Sequence, residues 1–112
     1  MNSMLDQKRT TLQGCLDLIE SGDRICFAGG CNQPVAFMRQ FHTVAPRVQD
    51  VECIKSRSGD YEFVTAPGMN GHINTGSPLY GEAFIEGMKH GNTSHIVCDI
   101  CDYSRFINEH NP

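Results

Sequence analysis

Arg24-Ile25-Cys26-Phe27-Ala28-Gly29-Gly30-Cys31-Asn32-Gln33-Pro34 is the stretch on which the fold turns. Arg24 to Ala28 is a short apolar run and reads as a buried strand. Gly29-Gly30 interrupts it with a tight turn. Pro34 stands where a helix would open, since a proline at the first helical position gives up no hydrogen bond. Val35, Met38, Phe41 and Ala45 then form one helical stripe that Pro46 closes, and Val51 to Lys55 is a second strand. Strand, glycine turn, helix, strand is a βαβ unit, and its natural outcome is a parallel sheet.

On the amino-terminal side, residues 4 to 20 place Leu5, Leu12, Cys15, Leu16 and Ile19 at helical spacing, which predicts a single amphipathic helix. Ser21-Gly22-Asp23 ends it, with Gly22 suited to a left-handed backbone. On the other side, Ser58-Gly59-Asp60, Ala66-Pro67-Gly68 and Asn74-Thr75-Gly76 read as turns, with a short strand around Tyr61–Val64. A helix is predicted at about Gly81 to Lys89, with Phe84, Ile85 and Met88 apolar and Gly91 as its stop. A third strand, Ser94 to Cys98, leads into a helix at Asp99 to Asn108. Strands that read as continuous apolar runs need helices on both faces. The expected class is therefore α/β, a mostly parallel sheet flanked by helices. With no strand after the last helix, the pattern resembles the front of a larger α/β domain.

The chain has 112 residues, 9 basic and 13 acidic, for a net charge of −4. That length suits one domain. The negative balance argues against nucleic acid, whose phosphates are held by surplus Lys and Arg. No apolar run approaches the ~20 residues that cross a bilayer, so no membrane association is expected. Met1 to Thr10 lacks the apolar segment of a secretory signal and is a poor match to an Arg-rich presequence, which favours an intracellular protein, cytoplasmic or mitochondrial. Six cysteines (Cys15, Cys26, Cys31, Cys53, Cys98, Cys101) are then expected to be reduced, behaving mostly as small buried hydrophobes.

Three segments carry candidate chemistry. The Gly29–Pro34 bend lies at the carboxyl end of a strand, where open parallel sheets bind ligands, and a helix mouth there favours an anion or developing oxyanion. It is not GxGxxG, which argues against a dinucleotide, and an ordinary strand-to-helix turn has the same composition. Cys98-Asp99-Ile100-Cys101 is a CxxC that suits a thiol-redox pair or half a zinc site. It lacks both the flanking Trp, Gly and Pro of thioredoxins and a second ligand pair, and two unconnected thiols explain it equally. His72, in a glycine-rich loop, has no Ser, Cys or carboxylate partner that the sequence identifies.

Ser21-Gly22-Asp23-Arg24-Ile25, Gly29-Gly30-Cys31-Asn32-Gln33-Pro34, the block from Gly71-His72 to Gly81, and Phe84-Ile85-Glu86-Gly87 occur in an order that resembles the N-terminal part of the acetyl-CoA hydrolase/CoA-transferase family. Ser94–Phe106 resembles the family's strand and helix before an Arg-containing turn, so the resemblance runs from about Asp17 to Ile107. It implies a CoA-transferase-type α/β fold in a protein of two such domains. Residues 1–112 would form the N-terminal portion of the first, without the C-terminal catalytic domain. The implied activity is movement of CoA between carboxylic acids such as acetate, with an acyl-CoA thioester as substrate and no bound cofactor. A glutamate carries the CoA as a glutamyl-CoA thioester. In hydrolases of the family, water takes the acyl group.

The family's catalytic glutamate lies in the C-terminal domain, so no residue here carries over as nucleophile, and a second chain could supply that domain. By position, Gly29, Gly30, Asn32 and Gln33 are the implied substrate contacts, with His72 in the neighbouring loop. Cys31 and the polar run Asn74-Thr75-Gly76 depart from the family's pattern. The competing reading is a non-catalytic binding or regulatory module, or a partner subunit, with the same half-fold.

Overall fold

The computed structural model describes residues 3–55, 60–79 and 81–110. Ser58-Gly59 of one expected turn lies outside the described residues. The elements are α1 (Ser3–Lys8), α2 (Leu12–Asp17), β1 (Arg24–Phe27), α3 (Val35–Gln40), β2 (Val51–Lys55), α4 (Glu62–Thr65), β3 (Ile73–Ser77), α5 (Glu82–Lys89), β4 (Thr93–His95) and α6 (Tyr103–His110). The strands form one sheet in the order β1-β2-β3-β4, with every pairing parallel. This is the α/β architecture expected from the βαβ reading.

Register divides the sheet into two faces. Phe27, Val51, Cys53 and Ile73 point into the core, where they meet Leu16 of α2, Met38 of α3, Phe63 and Val64 of α4 and Phe84 of α5. Five rings bind this side together. Phe41 lies 5.7 Å from Phe27, 5.3 Å from Phe37 and 5.1 Å from Phe63, and Tyr61 stacks on Phe63 at 5.8 Å. The other face, carrying Arg24, Cys26, Glu52, Ile54, Asn74 and Gly76, meets α6 through Phe106.

Four sequence expectations need correction. The single helix over residues 4–20 is two short ones, because the Thr11 side chain accepts from Gly14 N at 3.0 Å and caps a fresh start. α1 buries no residue. The expected strand at Tyr61–Val64 is a helical turn: Val64 and Thr65 N–H donate to the Tyr61 carbonyl, and adjacent Phe63 and Val64 are both buried. Ring packing overrides their β propensity. Asn74-Thr75-Gly76, expected as a turn, is the middle of β3, where Ile73, Thr75 and Ser77 alternate inward. β4 stops at His95, and Val97, 92% exposed, lies beyond it.

The cysteines differ as well. All six are free, but Cys26, Cys31 and Cys101 are exposed and only Cys53 is buried, because Cys26 points to the less covered face of the sheet. Gly22, with φ +85°, takes the left-handed backbone that the sequence foresees, and Gly91, the expected stop of the later helix, takes one too, with φ +82°.

α4, α5 and β4 meet at Gly87 and Asn92. The Asn92 side-chain amide donates to the Phe63 and Val64 carbonyls at 3.2 Å each. A Cβ on Gly87 would fall 2.4 Å from the Val64 carbonyl oxygen and 2.4 Å from Thr93 Cγ2. Gly87→Ala must therefore push backbone apart, and a loss of about 2–4 kcal/mol is expected in urea unfolding. Gly81→Ser, at the α5 N-cap with nothing within 4 Å of its Cβ, should be neutral or slightly stabilising in the same assay.

Candidate functional site at the carboxyl edge of the sheet

β1 delivers the chain to the carboxyl edge at Phe27. Gly29 opens a 3-10 turn over Gly30–Asn32, closed by Asn32 N–H donating to the Gly29 carbonyl at 3.2 Å. Gly30 takes φ +60°, a left-handed value that a side chain would resist. Pro34, at φ −78° and ψ 72°, centres an inverse γ-turn in which Val35 N–H donates to the Gln33 carbonyl at 2.9 Å. Pro34 is thus the N-cap of α3 and not its first helical residue, so the helix starts one position later than expected, at Val35. The helix mouth offers fewer donors than the sequence suggests, since Pro34 has no N–H and that of Val35 is used. Gly29, Gly30 and Asn32 are exposed, and Gln33 is half-buried.

Two residues that the sequence reading did not single out stand beside this bend. The Tyr61 hydroxyl donates to Gln33 Oε1 at 3.0 Å, fixing the side-chain amide. Lys55 ends β2 opposite Phe27, is 3% exposed, and holds Nζ 5.0 Å from the Tyr61 ring centre and 5.9 Å from that of Phe63. Burial pulls its ammonium from 10.5 down to about 8, with the nearby Asp60 carboxylate opposing the shift. The sequence signal for Lys55 is a cation ending an apolar strand one register row from the glycine bend.

His72 is not part of this group. It precedes β3, so in a parallel sheet it lies at the opposite, amino edge. There its Nδ1 donates to the Val48 carbonyl at 2.8 Å, while its own carbonyl accepts from Val51 N–H at 3.1 Å. It aligns the starts of β2 and β3. Sequence proximity to a glycine-rich loop does not report which end of a strand that loop serves.

In the CxxC, only Cys98 carries a resolved electrostatic bias. Burial, then Asp102 and Asp99, push the Cys98 thiol above its ordinary value, whereas a nucleophilic thiol needs the reverse. Asp99, Cys101 and Asp102 bring their ligand atoms within 4.8 Å of one another, all exposed. Among the described residues, no helix is long and apolar enough to cross a membrane.

The fold is shared with solved proteins. The crystal structure of RipA from Yersinia pestis superposes with a TM-score of 0.78 at 16% identity, over 94% of this chain and 27% of that chain. A RipA mutant structure gives 0.78 at 17% identity, over 94% and 26%. This chain spans about a quarter of RipA's length. At such identity the likeness concerns the fold alone. No protein-family model and no curated protein sequence matches the chain.

Lys55 has a measurable signature. Its folded value, about 8, lies below the 10.5 of the open chain, so the unfolded state binds more protons between those limits and stability rises with pH across that window. Lys55→Met removes this rise. The wild-type and variant unfolding curves should converge by on the order of 3 kcal/mol between pH 8 and 10.5. Parallel curves would mean that the ammonium is solvated.

A second measurement concerns the thiols. Cys98 should alkylate more slowly at neutral pH than a thiol in an unstructured peptide.

Proposed function

We propose that these residues form the N-terminal portion of a CoA-transferase or acyl-CoA hydrolase, and that the bend of Gly29, Gly30, Asn32 and Gln33 is the substrate-side wall of its thioester site. The observation that carries this reading is the exposed bend at the carboxyl edge of a parallel sheet, with Gln33 braced by Tyr61. The ordered resemblance of Ser21–Ile25, Gly29–Pro34 and Phe84–Gly87 to that family supplies the chemistry.

In this mechanism a glutamate carboxylate from outside these residues attacks the thioester carbonyl of an acyl-CoA. The C–S bond breaks, CoA leaves as thiolate, and an acyl–glutamyl anhydride remains. The thiolate then attacks the glutamyl carbonyl and releases the first carboxylic acid, leaving a glutamyl-CoA thioester. A second carboxylate such as acetate attacks that thioester, and CoA passes to it through a second anhydride. Gly30 and Cys31 amides are assigned to the oxyanions of the tetrahedral intermediates, and the Asn32 and Gln33 side chains to the acyl or carboxylate group. Glycine at positions 29 and 30 allows the acyl group close to the backbone. In a hydrolase, water takes the place of the second carboxylate.

Titration of the 112-residue protein with acetyl-CoA, followed by amide NMR, tests the wall. Shifts concentrated at Gly29–Gln33, with Gly71–Ile73 unmoved, are expected. Shifts at the amino edge instead, or none at millimolar ligand, would overturn the assignment. The purified chain should show no transfer of CoA from acetyl-CoA to a second carboxylate. Turnover by this chain alone would refute the external nucleophile.

A further inference from the structure

Three side chains from separate segments stand in line behind the glycine bend: Gln33 at its end, Tyr61 at the N-cap of α4 and Lys55 at the end of β2. The Tyr61 hydroxyl donates to Gln33 Oε1 at 3.0 Å, across 28 positions of chain. Over the face of the Tyr61 ring lies Lys55 Nζ, 5.0 Å from its centre, and Phe63, stacked on Tyr61, has the same ammonium 5.9 Å from its own. Lys55 and Tyr61 are 3% and 9% exposed, so water screens this line poorly.

Engagement of Oε1 decides what Gln33 recognises. A primary amide offers one acceptor oxygen and two N–H donors. With its oxygen turned to Tyr61, the amide meets a ligand through Nε2 as a donor, and the counterpart must be an acceptor such as a thioester carbonyl oxygen. The ammonium adds to this. A cation on the face of a phenol draws electron density from the oxygen, which makes the O–H a better donor, and each hydrogen bond in a chain polarises the next. The Gln33 N–H groups are therefore stronger donors while Lys55 is charged.

We propose that Tyr61 and Lys55 are positioning residues for acyl recognition: Tyr61 directs Gln33 as a donor to the thioester carbonyl oxygen, and the Lys55 charge, acting through the Tyr61 ring, sets the strength of that contact. The ligand rests on the CoA reading above, whereas the line of side chains does not.

The consequence is a pH-dependent grip. Burial brings the Lys55 ammonium down to about 8. Among the described residues, Asp60, just before α4, favours the charged amine, and the Cys53 thiol, kept protonated by burial, lies two positions back on β2. Glu62 of α4 is paired with His42 at 2.9 Å, and Cys31 stands two positions before Gln33 in the bend. As pH rises through about 8, Lys55 becomes neutral, the Tyr61 donor weakens, and the acyl carbonyl is held less firmly.

Two measurements separate the side chains from their ligand. In the free protein, the side-chain carbonyl carbon shift of Gln33, read by NMR, reports the bond at Oε1. It should titrate with a midpoint at about 8 in the wild type, and at a lower pH in Asp60→Asn, which removes the carboxylate that favours the charged amine. In Lys55→Met and in Tyr61→Phe that step should be lost, leaving what Cys31 contributes. A Gln33 signal that moves alike in the wild type and Lys55→Met would overturn the proposal.

The second measurement compares acetyl-CoA with S-ethyl-CoA, a thioether lacking the carbonyl oxygen. Tyr61→Phe should weaken acetyl-CoA binding about fivefold and leave S-ethyl-CoA binding unchanged. The wild type's preference for acetyl-CoA should drop about threefold between roughly pH 7 and 9.5 and stay level in Lys55→Met. Equal weakening of both ligands by Tyr61→Phe would overturn the positioning role, since Tyr61 would then only support the bend. Binding of neither ligand to the wild type at millimolar concentration would overturn the thioester reading and the acyl ligand with it, and the titration of the free protein decides the line of side chains by itself.

Discussion

The contact among Phe27, Phe37, Phe41, Phe63 and Tyr61 is the constraint on which the remaining structure depends. These rings come from four separate segments: the end of β1, α3, the 3-10 stretch Phe41–Arg47 that follows it, and the short α4. Each edge or stacked pair contributes on the order of 1 kcal/mol beyond the area it buries. More important is where the rings sit. Phe27 is the last residue of β1, so the cluster lies directly beneath the carboxyl edge and fixes the exit direction of the chain into Gly29-Gly30. Tyr61 belongs both to the cluster and to the bend, because its ring stacks on Phe63 while its hydroxyl holds Gln33.

The same arrangement explains Lys55. An ammonium buried at the end of a strand is unfavourable unless something compensates, and here two aromatic faces and the nearby Asp60 do so in part. Polar groups elsewhere are spent on alignment. Arg47 donates to the carbonyls of Leu16 and Ile19, clamping the end of α2 against the 3-10 stretch. Gly22 N–H donates to the Gln49 carbonyl and Glu52 N–H to that of Asp23, setting the β1–β2 register.

The first βαβ unit was legible because its signals agree: an apolar run, two glycines, Pro34, a helical stripe through Met38 and Phe41, and a second run ending at Lys55. Every core residue of that stripe is buried, and only Val35 at its start stays exposed. β3 was hidden because Asn74, Gly76 and Ser77 are poor strand formers. The inward set Ile73, Thr75, Ser77 is the period-two signal that remained. α4 was hidden because four residues are too few to show a helical period, and Tyr61, Phe63 and Val64 suit strands. Within the site, Gly29, Gly30, Asn32 and Gln33 are neighbours in sequence and could be grouped from it. Lys55 and Tyr61 join them only through the parallel register and the ring cluster, and His72 leaves them for the same reason.

Every strand pairing joins distant segments: Arg24 meets Glu52, Val51 meets Ile73 and Thr75 meets Thr93, separations of 52 − 24 = 28, 73 − 51 = 22 and 93 − 75 = 18 positions. Among the described residues no hairpin offers a start from which such a sheet could zip. Each pairing must first close a loop that contains a whole helix, at an entropic cost met before any ladder bond forms. Assembly of this topology is therefore slow for its size, and the unpaired strands are open to the wrong neighbours until the last loop has closed.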